Sequence, residues 1–200
     1  MNAFDLFQEI PRPYLDPRTL KSKFLKLSAP LHPDRVHHLS EEEKREATQR
    51  FSELNAAYLV LREPWNRLNL LLELETGSKP KDIQKIPPGT MDLFVEVGQF
   101  CRDLDAYLLA RNPAETSSLL KAVTICAQGK WLAKLQTIRA QVEAKATSTL
   151  AELQKLDAEW MATTNHKSLL ERLENIARLF SYFTRWSQQL GDRRILLQIG

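Results

Sequence analysis

The chain has few cysteines and no long apolar run. Its two cysteines, Cys101 and Cys126, lie far apart and outside any Cys-x-x-Cys pair, so two buried free thiols are favoured over one disulfide. No apolar run approaches the ~20 residues that cross a bilayer, and no basic-apolar signal segment opens the sequence. These absences predict a reduced, soluble, cytoplasmic protein with no membrane partner.

A large excess of charge of one sign is also missing. The formal net charge is only +3, and the hydrophobic and charged fractions, 43% and 26%, are those of an ordinary globular protein. One class of protein still open is a helical nucleic-acid-binding protein whose basic segment contacts phosphates. The small net charge disfavours that class, and we expect no nucleic-acid partner.

Strand-like alternation is absent, and nearly every segment has helical periodicity. Asp16 before Pro17 predicts the start of one helix, and Ser40 with Glu43 predicts a capping box at the start of another. The Pro- and Lys-containing stretch 78–89 has little that could be buried and is the predicted linker. The pattern therefore predicts an all-α chain with domains at 1–77 and 90–200. The second domain is a bundle of three helices, or three plus one if Gly129 breaks the middle region.

The tripeptide His32-Pro33-Asp34 lies between the two predicted helices of the first domain. Pro33 fixes its own backbone and disfavours the helical region for His32, so the first long helix must end there. Asp34 is then held on a stiff turn, from which its carboxylate could enter a partner's arginine network. The alternative is that the tripeptide is only a helix-breaking turn.

The segment FDLFQEIPRPYLDPRTLKSKFLKLSAPLHPDR, together with FSELNAAYLVLREPWNRLNLLLELETG, resembles HscB, the J-domain co-chaperone of bacterial iron–sulfur cluster assembly. A His-Pro-Asp turn between a basic helix and an amphipathic helix is typical of J-domains. The resemblance implies an N-terminal J-domain (a helical hairpin with the His-Pro-Asp loop). It also implies a C-terminal three-helix bundle that carries an iron–sulfur scaffold protein of the IscU type.

By that resemblance, His32, Pro33 and Asp34 would stimulate the ATPase of a DnaK/HscA-type chaperone. A basic face beside the loop would dock on this chaperone, and its residues would be Lys21, Lys23, Lys26 and Arg35. The same resemblance implies a scaffold-binding surface composed of Phe94, Val95, Gly98 and Arg102, with Leu179 or Phe180 from the last helix.

Two of these positions depart from the family's apolar and acidic pattern. Gly98 stands where a large apolar residue is expected, and Arg102 stands where an acid is expected. A J-domain protein with a different client is therefore an alternative. For Phe94, Leu179 and Phe180, plain packing in the bundle core is equally open.

No group of residues indicates catalysis or a bound cofactor. The sequence has no Gly-rich phosphate loop and no defensible Ser-His-Asp or Cys-His arrangement. His32, His37 and His38 lie near Asp34, but no cysteine or second carboxylate stands at ligand spacing, so an exposed loop is favoured over a metal site. We expect a co-chaperone that is not an enzyme and holds no metal or cofactor.

Overall fold

The structure is a computed structural model that describes residues 2–38, 40–79, 86–87, 89–110 and 118–199. For residues 33, 118–121 and 199 it describes the backbone alone. Every regular element within these ranges is helical, which confirms the predicted all-α class.

The N-terminal part forms five α-helices and one 3-10 turn. They are α1 (Ala3–Leu6), α2 (Pro17–Ser28), the 3-10 turn Ala29–Leu31, α3 (Pro33–Val36), α4 (Glu41–Arg62) and α5 (Pro64–Thr76). The starts of α2 and α4 are those that the sequence predicts. The Asp16 carboxylate accepts a hydrogen bond from the backbone N–H of Thr19 at 2.8 Å. At the start of α4, Ser40 and Glu43 form a reciprocal capping box.

Proline and glycine set the helix ends in this part. Helix α2 stops at Ser28 because Pro30 has no N–H with which to continue the helical hydrogen bonds, and the chain continues as a 3-10 turn. Helix α5 ends at Gly77, whose φ of 69° is the left-handed conformation that glycine adopts at helix C-termini. The His32-Pro33-Asp34 loop lies between α2 and α4, two helices with well-defined ends.

A compact apolar core joins α1, α2 and α4. Its fully buried members include Phe4, Phe7 and Leu61, and partly buried aromatic residues pack against it. The rings of Phe24 and Tyr58 stack with their centroids 4.5 Å apart. Since Phe24 is on α2 and Tyr58 is on α4, this contact fixes the two helices that flank the loop.

The C-terminal part contains α6 (Met91–Ala110), α7 (Ser118–Met161) and α8 (Leu170–Ile199). Of the two predicted arrangements, the described residues form the one with three helices. The alternative with a break at Gly129 does not occur, because α7 is continuous through this residue and is 44 residues long. Gly129 is exposed, and a Cβ atom added there would have nothing within 4 Å, so its cost is only the intrinsic ~1 kcal/mol of glycine in a helix.

Contacts divide the chain into two compact units. The first contains Met1–Asp82 and Glu152–Ala177, and the second contains Ile83–Ala151 and Arg178–Gly200. More than half of the predicted linker 78–89 lies outside the described residues. The boundaries at 77 and 90 therefore stay a prediction.

The cysteines differ from the expectation in one respect. Both are free, but only Cys101 is buried, whereas Cys126 is exposed on α7. Burial raises the pKa of the Cys101 thiol. Among the described helices, none is long and apolar enough to cross a membrane.

Candidate functional site

The His32-Pro33-Asp34 loop is closed by short local hydrogen bonds. His32 has extended backbone angles, φ −66° and ψ 137°, and acts as the N-cap of α3. Its carbonyl accepts from the N–H of Arg35 at 2.8 Å and from the N–H of Val36 at 3.2 Å. Its ring Nδ1 accepts from the N–H of Asp34 at 3.3 Å. Pro33 contributes the first residue of α3, and its side chain lies outside the described part.

The Asp34 side chain points into solvent, with 87% of its surface exposed. The ring Nδ1 of His32 lies 3.6 Å from its Oδ2. The backbone carbonyl of Asp34 is 2.6 Å from Nδ1 of His37, which fixes the far end of the turn. The described residues contain no group of side chains suited to a metal ion, and the three loop histidines are exposed.

The four residues of the predicted docking face are not equivalent. Lys21, Lys26 and Arg35 are exposed and make no ion pair with any described residue. Lys23 is half-buried, because its ammonium donates to the Glu9 carboxylate at 2.6 Å and to the carbonyl of Gln8 at 3.2 Å. The structure thus places Lys23 as a tie between α2 and the segment after α1.

The first unit, which contains the loop, also contains a buried polar cluster that the sequence did not predict. Asp157, on α7, accepts two hydrogen bonds from the guanidinium of Arg12 and one from the N–H of Tyr14 at 2.9 Å. Arg67, on α5, donates to the carbonyls of Pro13 at 2.9 Å and Leu61 at 2.5 Å. Burial lowers the pKa of Arg67 to about 10, and the hydrogen bond that Arg12 donates to Asp157 raises the pKa of Arg12. An arginine among the leucines of α5 was the available signal.

The second candidate surface lies on α6. Phe94 and Val95 are 37% and 55% exposed, although both are apolar. The Phe94 ring meets the rings of Tyr182 and Trp186 on α8 at centroid distances of 5.8 and 6.3 Å. Met91 is 54% exposed one turn before Val95, so the face is continuous. We call Met91, Phe94, Val95, Gly98, Arg102 and Tyr182 the α6 face; sequence reasoning did not include Met91 or Tyr182.

The other predicted members of this surface fall into two groups. Leu179 and Phe180 are each only 8% exposed and belong to the core of the second unit, where the Phe180 ring meets that of Phe183 at 6.0 Å. Arg102 is exposed, and its Nη2 donates to Oε1 of Gln99 at 2.7 Å. The α6 face is therefore formed by α6 and Tyr182 rather than by Leu179 or Phe180.

Comparison with known proteins places the loop and its flanking helices in a family. The DnaJ domain model matches residues 9–70. A Co-chaperone protein HscB homolog from Vibrio cholerae is 28% identical over 192 residues, which cover 95% of this chain and 99% of that protein. The chain is thus similar to HscB co-chaperones along nearly its whole length, and its residues 9–70 match a DnaJ domain. The HscB homolog of Shewanella pealeana is 35% identical over 75 residues, 38% of this chain and 43% of that protein.

Two solved HscB structures resemble the chain in fold. Chaperone HscB from Vibrio cholerae superimposes with a TM-score of 0.52 at 26% identity, covering 95% of this chain and 99% of that one. The human co-chaperone protein HscB shares the fold at 18% identity, with a TM-score of 0.60 over 98% of this chain and 83% of that one. The predicted HscB-type fold is confirmed over the described residues.

Proposed function

We propose that this HscB-type co-chaperone stimulates the ATPase of a DnaK/HscA-type chaperone through His32, Pro33 and Asp34. One observation carries the proposal. The Asp34 carboxylate is 87% exposed on a closed turn inside the region that matches the DnaJ domain. A carboxylate on a fixed turn loses little conformational freedom when a partner binds it.

In the proposed stimulation of the ATPase, the Asp34 carboxylate would exchange its hydrogen-bond partners for those of the chaperone. Among the described residues, the Asp34 side chain has only the adjacent His32 beside it, so it can accept charge-assisted hydrogen bonds from a guanidinium of the chaperone. Lys21, Lys26 and Arg35 would attract an acidic surface and raise the encounter rate. Hydrolysis of ATP would take place in the chaperone.

The α6 face is the proposed site for the client, an iron–sulfur scaffold protein of the IscU type. Three of its apolar side chains are exposed in one continuous stripe, which is the form that a protein-binding surface takes. Cluster chemistry would belong to the scaffold, since this chain has only two cysteines. We further propose a cytoplasmic co-chaperone without enzymatic activity, cofactor, nucleic-acid partner or membrane partner.

A steady-state ATPase assay with the cognate chaperone tests the loop. Wild-type chain should raise the rate of hydrolysis, and Asp34→Asn should not, because the amide removes the charge from the hydrogen bond. Asp192→Asn, an exposed carboxylate on α8, is the matched control and should stimulate fully. Equal stimulation by wild type and Asp34→Asn would refute the role of the loop.

Calorimetric titration of the full chain with the scaffold protein tests the α6 face. Phe94→Ala should weaken binding at least tenfold, because aromatic anchors dominate such interfaces. Ile125→Ala removes an apolar side chain that is 68% exposed on α7 and should leave binding unchanged. If wild type does not bind the scaffold but still stimulates the chaperone, the client is a different protein.

A further inference from the structure

Gly98 and Arg102 are neighbours on the α6 face. They are four residues apart, which places them one above the other on an α-helix. A Cβ atom added to Gly98 would lie 3.5 Å from Nη1 of Arg102. The arginine side chain therefore runs back along the helix, and its guanidinium lies over the glycine. The next residues in that direction are the exposed Phe94 and Val95.

The guanidinium has unused hydrogen-bonding capacity. A guanidinium offers five N–H donors, and here one donates to Gln99. Among the described residues, Arg102 has no carboxylate partner; the amide of Gln99 donates instead to Asp103 at 2.6 Å. Within the described part of the chain, the guanidinium therefore keeps donors without a partner at the edge of the apolar stripe.

We infer that Gly98 and Arg102 together form a seat for a carboxylate of the client, and that this seat selects a client with an acidic residue beside an apolar one. The inference rests on the proposed function, since the occupant is the client of the α6 face. Asp92 and Glu96 are exposed on the same helix and would repel a polyanion such as nucleic acid. One carboxylate within an apolar contact is the chemistry that fits.

Binding of the scaffold protein to full-length variants tests this inference. Arg102→Gln should weaken binding roughly tenfold, the effect of losing a charge-assisted hydrogen bond. Gly98→Leu should weaken it by a similar factor, because the larger side chain would displace the guanidinium. The double variant should lose roughly tenfold and not a hundredfold, since both changes remove the same contact. Added salt should weaken wild type more than Arg102→Gln.

A matched control separates the loss of this guanidinium from the loss of any other exposed positive charge. Arg194→Gln removes an exposed guanidinium from α8 and should have no effect.

The failure of this inference is distinguishable from that of the proposed function. Full binding by Arg102→Gln and Gly98→Leu, with Phe94→Ala still impaired, would overturn the carboxylate seat and leave the client face in place. Full binding by all three variants would overturn both. Absence of scaffold binding by wild type would likewise overturn the client assignment and this inference with it.

Discussion

The His32-Pro33-Asp34 loop and the α6 face are built in opposite ways. The loop consists of consecutive residues whose hydrogen bonds all lie within a few positions, and its exposed carboxylate follows from Pro33 and the helix that starts there. The α6 face depends on Phe94 meeting Tyr182 and Trp186, which are far away in the sequence. A site fixed by local geometry is readable from a sequence, whereas a site fixed by packing between helices is not.

The largest expected effect is a loss of stability that distinguishes a core residue of the second unit, Phe180, from a surface residue, Phe94. Phe180→Ala should lower the free energy of unfolding by about 4 kcal/mol, because it empties a buried aromatic site. Phe94→Ala should cost only about 1 kcal/mol, the value of an aromatic contact at a surface. Urea denaturation followed by circular dichroism measures both. Equal losses would show that Phe94 is a core residue and remove the basis for the α6 face.

Helix starts could be predicted because the residues that cap them are adjacent in sequence. Asp16 with Thr19, and Ser40 with Glu43, needed no knowledge of the rest of the fold. Burial of Leu179 and Phe180 could not be predicted, since both lie on a helix with apolar residues on several sides. The partnership of Arg12 with Asp157 spans 145 positions, and no local pattern reveals it.

A second prediction concerns the buried polar cluster of Arg12, Arg67 and Asp157 in the first unit. Asp157→Ala should lower the free energy of unfolding by about 3 kcal/mol, because Arg12 would lose its carboxylate in a largely buried setting. The matched control is Glu159→Ala, whose pair with Arg172 is exposed and should contribute little. The same urea denaturation applies. A fully stable Asp157→Ala would mean that the cluster does not hold the unit together.

The capping box at the start of α4 tests how far local bonds support the loop. Ser40→Ala should destabilise the fold by about 1 kcal/mol. Hydrogen bonds from Ser40 hold the pKa of Glu43 below its ordinary value. The contribution of Glu43 is therefore complete at neutral pH and is lost as the pH falls through the lowered pKa. Thermal unfolding should therefore show that the difference in Tm between wild type and Ser40→Ala becomes smaller as the pH is lowered from 7. A difference in Tm that does not change with pH would contradict this role of the capping box.

The smallest effect distinguishes the lysines near the loop. Lys21→Gln and Lys26→Gln should each weaken chaperone binding about twofold to threefold, as expected for exposed charges that steer association. Lys23→Gln should affect chaperone binding less, because that ammonium is already paired with Glu9. Surface plasmon resonance at low and high salt would measure the affinities. If Lys23→Gln lowered the affinity for the chaperone more than Lys21→Gln did, the ion pair between Lys23 and Glu9 would have to open on binding.

We propose that one chain combines a loop that stimulates ATP hydrolysis by the chaperone with the α6 face, which binds the client. This proposal is tested most directly by the ATPase rate of the chaperone with the scaffold protein and either wild type or Asp34→Asn. We predict that wild type raises the rate, and that scaffold protein raises it further. Asp34→Asn should bind the scaffold normally yet leave the rate at its unstimulated level. Stimulation by Asp34→Asn equal to that of wild type would contradict the account.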